Sequence, residues 1–364
     1  MPYTSHMRTG TANLPLHGGS APRWLFERMT ALAREIGRII VEEYGPQDLL
    51  LKLSDPFWFQ SFGCVLGFDW HSSGVTTTTC GALKEGLKGL EGELGVFVAG
   101  GKGATSRKTP QMIEAYAERH TIARDPAELV YASRMSAKVD SAAVQDGYQL
   151  YHHCFVFTRA GDWAVVQQGM NDANRYARRY HWVSERLESF VNEPHSAICA
   201  EARESRVLNM VAHESEESRR TTALLSRERP DAIAGEIKKM QALTLPRQHE
   251  VLVRELRPES VERILLKTYE KPPQHFEALL GTAGVGGKTI RALALVAELL
   301  HGVQASWRDP AKFSFAHGGK DGHPFPVDRR TYDQSIEVLR EAVTRARIGD
   351  RERMEALRRL ARSA

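Results

Sequence analysis

Tyr151-His-His-Cys-Phe-Val-Phe-Thr-Arg-Ala-Gly-Asp-Trp-Ala-Val-Val-Gln-Gln-Gly-Met170 is the stretch that decides the fold class. Cys154–Thr158 and Trp163–Gln168 are short apolar runs rich in aromatic and β-branched residues. The turn Arg159-Ala-Gly-Asp162 lies between them, so the pair predicts a β-hairpin. Upstream, Gly95–Ala99 predicts a further strand. Phe62-Gly-Cys-Val-Leu-Gly-Phe-Asp69 is an apolar run suited to a buried strand, and Val75–Cys80, beyond the turn Ser72-Ser-Gly74, is β-branched enough to return as its partner. Helices are predicted from Pro22 to Tyr44, where apolar residues recur at helical spacing, after Thr109-Pro110, and over 126–149. From Met170 to about Tyr269 the pattern is helical almost throughout, and Glu341–Ala364 is an Arg-rich amphipathic helix.

This layout predicts an α/β domain over 1–170, an all-α connector over 171–270 and a C-terminal helical module over 271–364. A chain of 364 residues can bury two or three cores. A net charge of +4 excludes a polycation, although 36 of the 49 basic residues are Arg, the side chain that pairs bidentately with phosphate. Cys64, Cys80, Cys154 and Cys199 show no metal or disulfide spacing and predict reduced, buried thiols. With no signal segment and no run of 18 apolar residues, the expected location is the cytoplasm.

The clearest motif is Phe276-Glu-Ala-Leu-Leu-Gly-Thr-Ala-Gly-Val-Gly-Gly-Lys-Thr-Ile-Arg291. A short helix ends near Leu280, Ala283–Gly286 form a hairpin, and a second helix runs from Gly286 or Gly287 to a stop at Gly302. Glycines let backbone N–H groups approach an anion at the positive end of a helix, so Gly284, Val285, Gly286, Gly287, Lys288 and Thr289 are the candidate contacts to a DNA phosphate. A nucleotide-binding P-loop fits less well, because the spacing to Lys288 is one residue too long and a helix precedes the loop.

The segment resembles the helix-hairpin-helix of base-excision DNA glycosylases, which carry a Gly-Val-Gly-x-Lys-Thr core. The resemblance implies a sequence-independent grip on DNA. In the bifunctional members a lysine at the place of Lys288 attacks the sugar with help from an aspartate, for which the nearest residue here is Asp309. Over nearly its full length the chain also resembles an uncharacterised bacterial and archaeal family. The matching strings are Arg8-Thr-Gly-Thr-Ala-Asn-Leu-Pro-Leu-His-Gly18, Gly67-Phe-Asp-Trp-His-Ser-Ser-Gly74, Gln167-Gln-Gly-Met170 and Phe315-Ala-His-Gly-Gly-Lys-Asp-Gly322.

Asp69 and His71 close the first expected strand, and alternation puts both on one face. The order of elements is similar to that of RNase H-like nucleases, a resemblance that implies Asp69 as first metal ligand. Asp140, at the end of a helix after the sheet, is a second candidate, and Asp146 reads as a solvated helix charge. One of His152 and His153 faces the interior; His153 is preferred as ligand or general base, and with Gln167 and Gln168 the pair marks a polar pocket. Phosphodiester cleavage needs a Lewis acid and an activated water, so Asp69, His71, Asp140 and His153 are the expected set for Mg²⁺ or Mn²⁺. Arg175, Arg178 and Arg179 share one face of an expected helix, where they either track a DNA backbone or pair with Glu185 and Glu188. The expected function is a DNA-binding, metal-dependent nuclease of DNA repair or processing. The alternatives are a glycosylase or lyase using Lys288 and Asp309, and a non-catalytic DNA-binding scaffold whose α/β half meets a partner such as a helicase.

Overall fold

The computed structural model describes residues 23–67, 74–173, 176–200, 203–242, 256–312, 329–346 and 349–363. The chain opens with helices: α1 (Arg23–Tyr44), α2 (Pro46–Ser54), α3 (Pro56–Leu66), α4 (Val75–Leu87) and the single turn α5 (Glu91–Leu94). Strand β1 (Val96–Lys102) leads to α6 (Thr109–Arg119) and α7 (Pro126–Lys138), which ends in a π-helical turn, Val139–Ala143. Then come β2 (Val144–Gln145), β3 (Gln149–Thr158), β4 (Trp163–Met170), β5 (Ala177–Val183), β6 (Ala197–Ala200) and β7 (Leu208–Asn209). Helices complete the chain: α8 (Glu216–Leu225), α9 (Pro230–Ala242), α10 (Pro258–Glu270), α11 (Phe276–Gly281), α12 (Gly287–His301), α13 (Arg329–Arg345) and α14 (Asp350–Ser363).

Five strands form one antiparallel sheet in the order β1-β3-β4-β5-β6, and β2 pairs with β7 apart from it. Successive side chains of a strand point to opposite faces, and here both faces are covered. Val98, Cys154, Val156, Ala164, Val166 and Val183 pack with α1–α4, α13 and α14. Phe97, Phe155, Phe157, Val165, Tyr180, Trp182 and Ile198 face the other way, into a core shared with α7–α12. The architecture is therefore three layers, helices–sheet–helices. Residues 329–346, grouped by sequence with the hairpin module, lie in the opposite layer: Leu339, Ala342 and Val343 are buried beside α1 and α3, and Arg345 pairs with Glu43 at 2.6 Å.

The hairpin of β3 and β4 stands as read from sequence, with Phe157 opposite Trp163. Three expectations fail. The run expected as a strand ending at Asp69 is α3 as far as Leu66, and all eleven residues of that helix are buried. An apolar run of this kind cannot separate a buried strand from a helix enclosed on all sides. The start signal is local: Asp55 accepts from the N–H groups of Phe57 (2.8 Å) and Trp58 (3.0 Å), and Pro56 opens the first turn. Val75–Cys80, expected as its partner strand, begins α4, because packing against α1 overrides the β-branched preference of the threonines. The connector expected as all-α over 171–270 opens with strands β5, β6 and β7, so the helix expected to carry Arg178 and Arg179 is strand β5.

At Gly100 the β1–β3 edge requires glycine. Its φ is +89°, and a Cβ there would lie 2.2 Å from the His153 carbonyl oxygen. Gly103, with φ +60°, has nothing within 4 Å of the same position. Gly100→Ala should therefore lower stability by more than about 2 kcal/mol, whereas Gly103→Ala should cost about 1 kcal/mol from backbone strain alone. Urea unfolding of the two variants checks this; equal losses would show that the His153 carbonyl yields freely.

Candidate functional site

The turn between α11 and α12 is built from its carbonyls outward. Gly284 adopts φ +95°, which lets Val285 fold back and become fully buried, its N–H donating to the Thr282 carbonyl at 3.1 Å. Three side chains hold the turn from the protein side. Lys138 donates to the Val285 carbonyl, Lys267 to that of Ala283 (3.5 Å), and Gln145 to that of Gly287 (2.8 Å). Arg291 in turn donates to the Gln145 oxygen at 2.8 Å. With its carbonyls bound inward, the turn presents N–H groups. The first bond of α12 runs from Ile290 to Gly286 (3.0 Å), and among the described residues nothing accepts from the N–H groups of Gly286, Gly287, Lys288 and Thr289. Gly286 borders open space and Lys288 is exposed, while Val285 and the Thr289 side chain are buried and serve packing.

Beside the turn, between α7 and the sheet, lies a cavity of about 820 Å³. Gly281, the last residue of α11, is part of its wall, and Ser133, His153 and Gln167 form its polar floor. Behind that floor runs a buried relay. His153 Nδ1 lies 2.8 Å from Gln167 Oε1, Gln167 Nε2 donates to Asp140 Oδ2 at 2.5 Å, and the Trp182 indole donates to the same oxygen at 3.0 Å. His195 Nε2 meets Asp140 Oδ1 at 2.5 Å. An ionised carboxylate only accepts, so the Gln167 amide nitrogen must face it and its oxygen must face His153. His153 then carries its proton on Nδ1, leaving Nε2 to accept from the Ser133 hydroxyl at 2.9 Å. Burial holds the His153 imidazole down at about 4, so it is neutral near pH 7. Burial pushes the Asp140 carboxyl up, while His195 and Trp182 pull it back.

Of the four expected metal ligands the structure thus joins two, Asp140 and His153, through Gln167 rather than through an ion, and their polar atoms are taken. Asp69 and His71 lie outside the described residues, as do Arg175 and the Phe315–Asp328 loop. Among the described residues no group of three His, Cys, Asp or Glu is placed to hold a metal ion, and all four cysteines are buried and outside any disulfide. His152 points to the opposite face, buried, with neither ring nitrogen partnered, and burial holds it down at about 3.

Arg178 and Arg179 do not share a face. Arg178 is fully buried between Asp146 (3.1 Å) and Asp309 (2.7 Å), so Asp146 is an interior ion-pair partner and not a solvated charge. The Tyr180 hydroxyl also donates to Asp146 at 2.6 Å, and Asp309 accepts from the Glu204 N–H at 2.6 Å. Arg179 lies under the other face, donating to His181 (2.8 Å) and Gln60 (3.0 Å) and lying over the Phe59 ring. Ser133 and His195, both in the relay, carry no sequence signal: one is a serine within a helix, the other follows Asp140 by 55 residues.

A helix-walled antiparallel sheet, with a cavity opening beside a glycine turn, defines the class of protein structurally. The chain belongs to the family described as "Protein of unknown function (DUF763)", whose model matches residues 10–327. No curated protein and no solved structure matches it. No helix among the described residues is long and apolar enough to cross a membrane.

The relay has a pH signature. His153 titrates near 6.5 when unfolded and near 4 when folded, so the unfolded chain binds more protons in that window. Its contribution is complete above pH 6.5 and is lost as pH falls toward 4, by up to roughly 3 kcal/mol. Asp146, pushed up to about 6 by burial, acts in the opposite sense, so the test compares two proteins at each pH. The stability difference between wild type and His153→Gln, from urea unfolding, should shrink steadily from pH 6.5 to 4. A constant difference would mean that His153 is not held neutral.

Proposed function

We propose that the chain binds DNA through its sugar–phosphate backbone, with α11, the glycine turn and α12 acting as a helix-hairpin-helix. The observation that carries this reading is the row of four unaccepted N–H groups, Gly286–Thr289, at the positive end of a 15-residue helix beside exposed Lys288. A phosphate oxygen is the anion that satisfies such a row, and a phosphate contact carries no sequence information. Lys138 and Lys267, fixed on the turn's carbonyls, add positive potential at the same place.

The catalytic part of the proposal is metal-dependent phosphodiester hydrolysis in DNA repair or processing. Since Asp140 and His153 are committed to the relay, Asp69 and His71 would supply the first ligands to Mg²⁺ or Mn²⁺. A lyase reading keeps Lys288 but draws no support from Asp309, whose carboxylate is engaged by Arg178 and the Glu204 N–H.

Affinity for a labelled duplex, followed by anisotropy, should fall linearly on a log–log plot against salt. Lys288→Ala should weaken binding severalfold on every sequence and reduce the salt slope by about one. Binding that ignores salt, or is untouched by Lys288→Ala, would sink the reading. In the same reactions, cutting that needs Mn²⁺ or Mg²⁺ and disappears in EDTA and in Asp69→Ala supports the nuclease. EDTA-resistant cleavage with borohydride trapping on Lys288 would replace it with a lyase.

A further inference from the structure

The cavity beside the hairpin separates charge from neutral polarity. Its rim carries Arg107, Arg134 and half-buried Lys138 against the single carboxylate of Glu114. Neither Arg107 nor Arg134 makes a hydrogen bond or ion pair among the described residues, and both are exposed. Its floor is uncharged: Ser133, Gln167 and the neutral His153, with Met135, Val130 and Leu150 alongside. Tyr131 stands at the mouth, 44% exposed, its hydroxyl tied to Glu277 of α11. A ligand that fits has an anionic end for the rim and a flat, hydrogen-bonding heterocycle for the floor. At about 820 Å³ the space lies within the usual range for such ligands, roughly 300–1,000 Å³.

We infer that this cavity receives an unpaired nucleotide of a DNA strand whose neighbouring phosphate is held by the hairpin turn. The link is physical. Gly281 lines the cavity five residues before Gly286, and Lys138 touches both the cavity and the Val285 carbonyl. The Arg107 and Arg134 guanidinium groups pair with the phosphates on either side, Tyr131 offers a ring for stacking, and Ser133 Oγ keeps lone pairs for a base N–H. A base inside a duplex has its pairing edge occupied and its faces stacked, so it cannot reach this floor. The inference rests on the DNA-binding reading and narrows it to single strands, frayed ends and tails.

The test measures anisotropy with a single-stranded oligonucleotide and a blunt duplex of equal length, for wild type, Lys288→Ala and the double variant Arg107→Ala/Arg134→Ala. Both arginines are exposed and unpaired, so the double variant should retain the wild-type circular dichroism and melting temperature. The single strand should bind wild type at least tenfold more tightly than the duplex. The double variant should lose tenfold or more on the single strand and less than twofold on the duplex. A 5-iododeoxyuridine in the single strand should photocross-link to the peptide containing Tyr131. Equal losses on both substrates, or cross-links mapping elsewhere, would overturn the inference, and the DNA reading would survive if Lys288→Ala still weakened both. Wild type that binds neither substrate would remove both readings. Competition by free deoxyadenosine monophosphate as strong as by the oligonucleotide, nucleotide for nucleotide, would overturn the continuity with the hairpin and leave a mononucleotide site.

Discussion

A sheet covered by helices on both faces has no water to satisfy the polar side chains its strands carry, so each must find a partner inside or bear the cost of lacking one. That constraint organises the molecule. On one face Arg178 is answered by Asp146, Asp309 and the Tyr148 ring. On the same face Gln167 and His153 are answered by Asp140 and Ser133. On the other, Arg179 is answered by Gln60, His181 and the Phe59 ring. These clusters join segments far apart in sequence. Removing one partner of such a cluster leaves a buried charge or amide unpaired, which is costlier than losing the bond itself.

The Asp140 cluster also sets the position of the outer elements. Asp140 can reach Gln167 and Trp182 because α7 widens into a π-helical turn instead of ending at Lys138. The same turn aims residues to the other side. Lys138, just before it, holds the Val285 carbonyl, and Gln145, just after it, holds the Gly287 carbonyl and receives Arg291. One short segment is thus pinned inward to the sheet by a carboxylate and outward to the glycine turn by an ammonium and an amide. The floor of the cavity and the N–H row of α12 are fixed to the same few residues.

What could be read from sequence follows from how local each signal is. The β3–β4 hairpin is legible because two apolar runs flank a turn, and the α11–α12 turn because Gly284 and Gly286 sit at a helix junction with Gly302 as its stop. Strand β5 is illegible as a strand: Arg178 and Arg179 suit a solvated helix by composition, and their burial depends on Asp146, Asp309 and Gln60 from elsewhere in the chain. Helix α3 misleads for the opposite reason, since burial on every side erases the periodicity that would reveal it. In the site, His153 and Gln167 are legible as a polar pair because each lies at the end of its apolar run, on either side of one hairpin. Ser133 and His195 reach them only through tertiary structure.

The placement of charge relative to the relay bears on what the cavity can do. A carboxylate in direct contact with His153 would favour its charged form, as neighbouring opposite charge does. Gln167 stands between them and transmits orientation without full charge, while burial keeps the imidazole neutral against the upward pull of the Gln167 hydrogen bond, with Nε2 turned to Ser133. The positive groups, Arg107 and Arg134, remain at the rim in contact with solvent, where holding them unpaired costs little. The result is a steady gradient from cationic mouth to neutral polar floor, within reach of a helix terminus that presents unpaired N–H groups. That gradient matches a nucleotide's own division into phosphate and base.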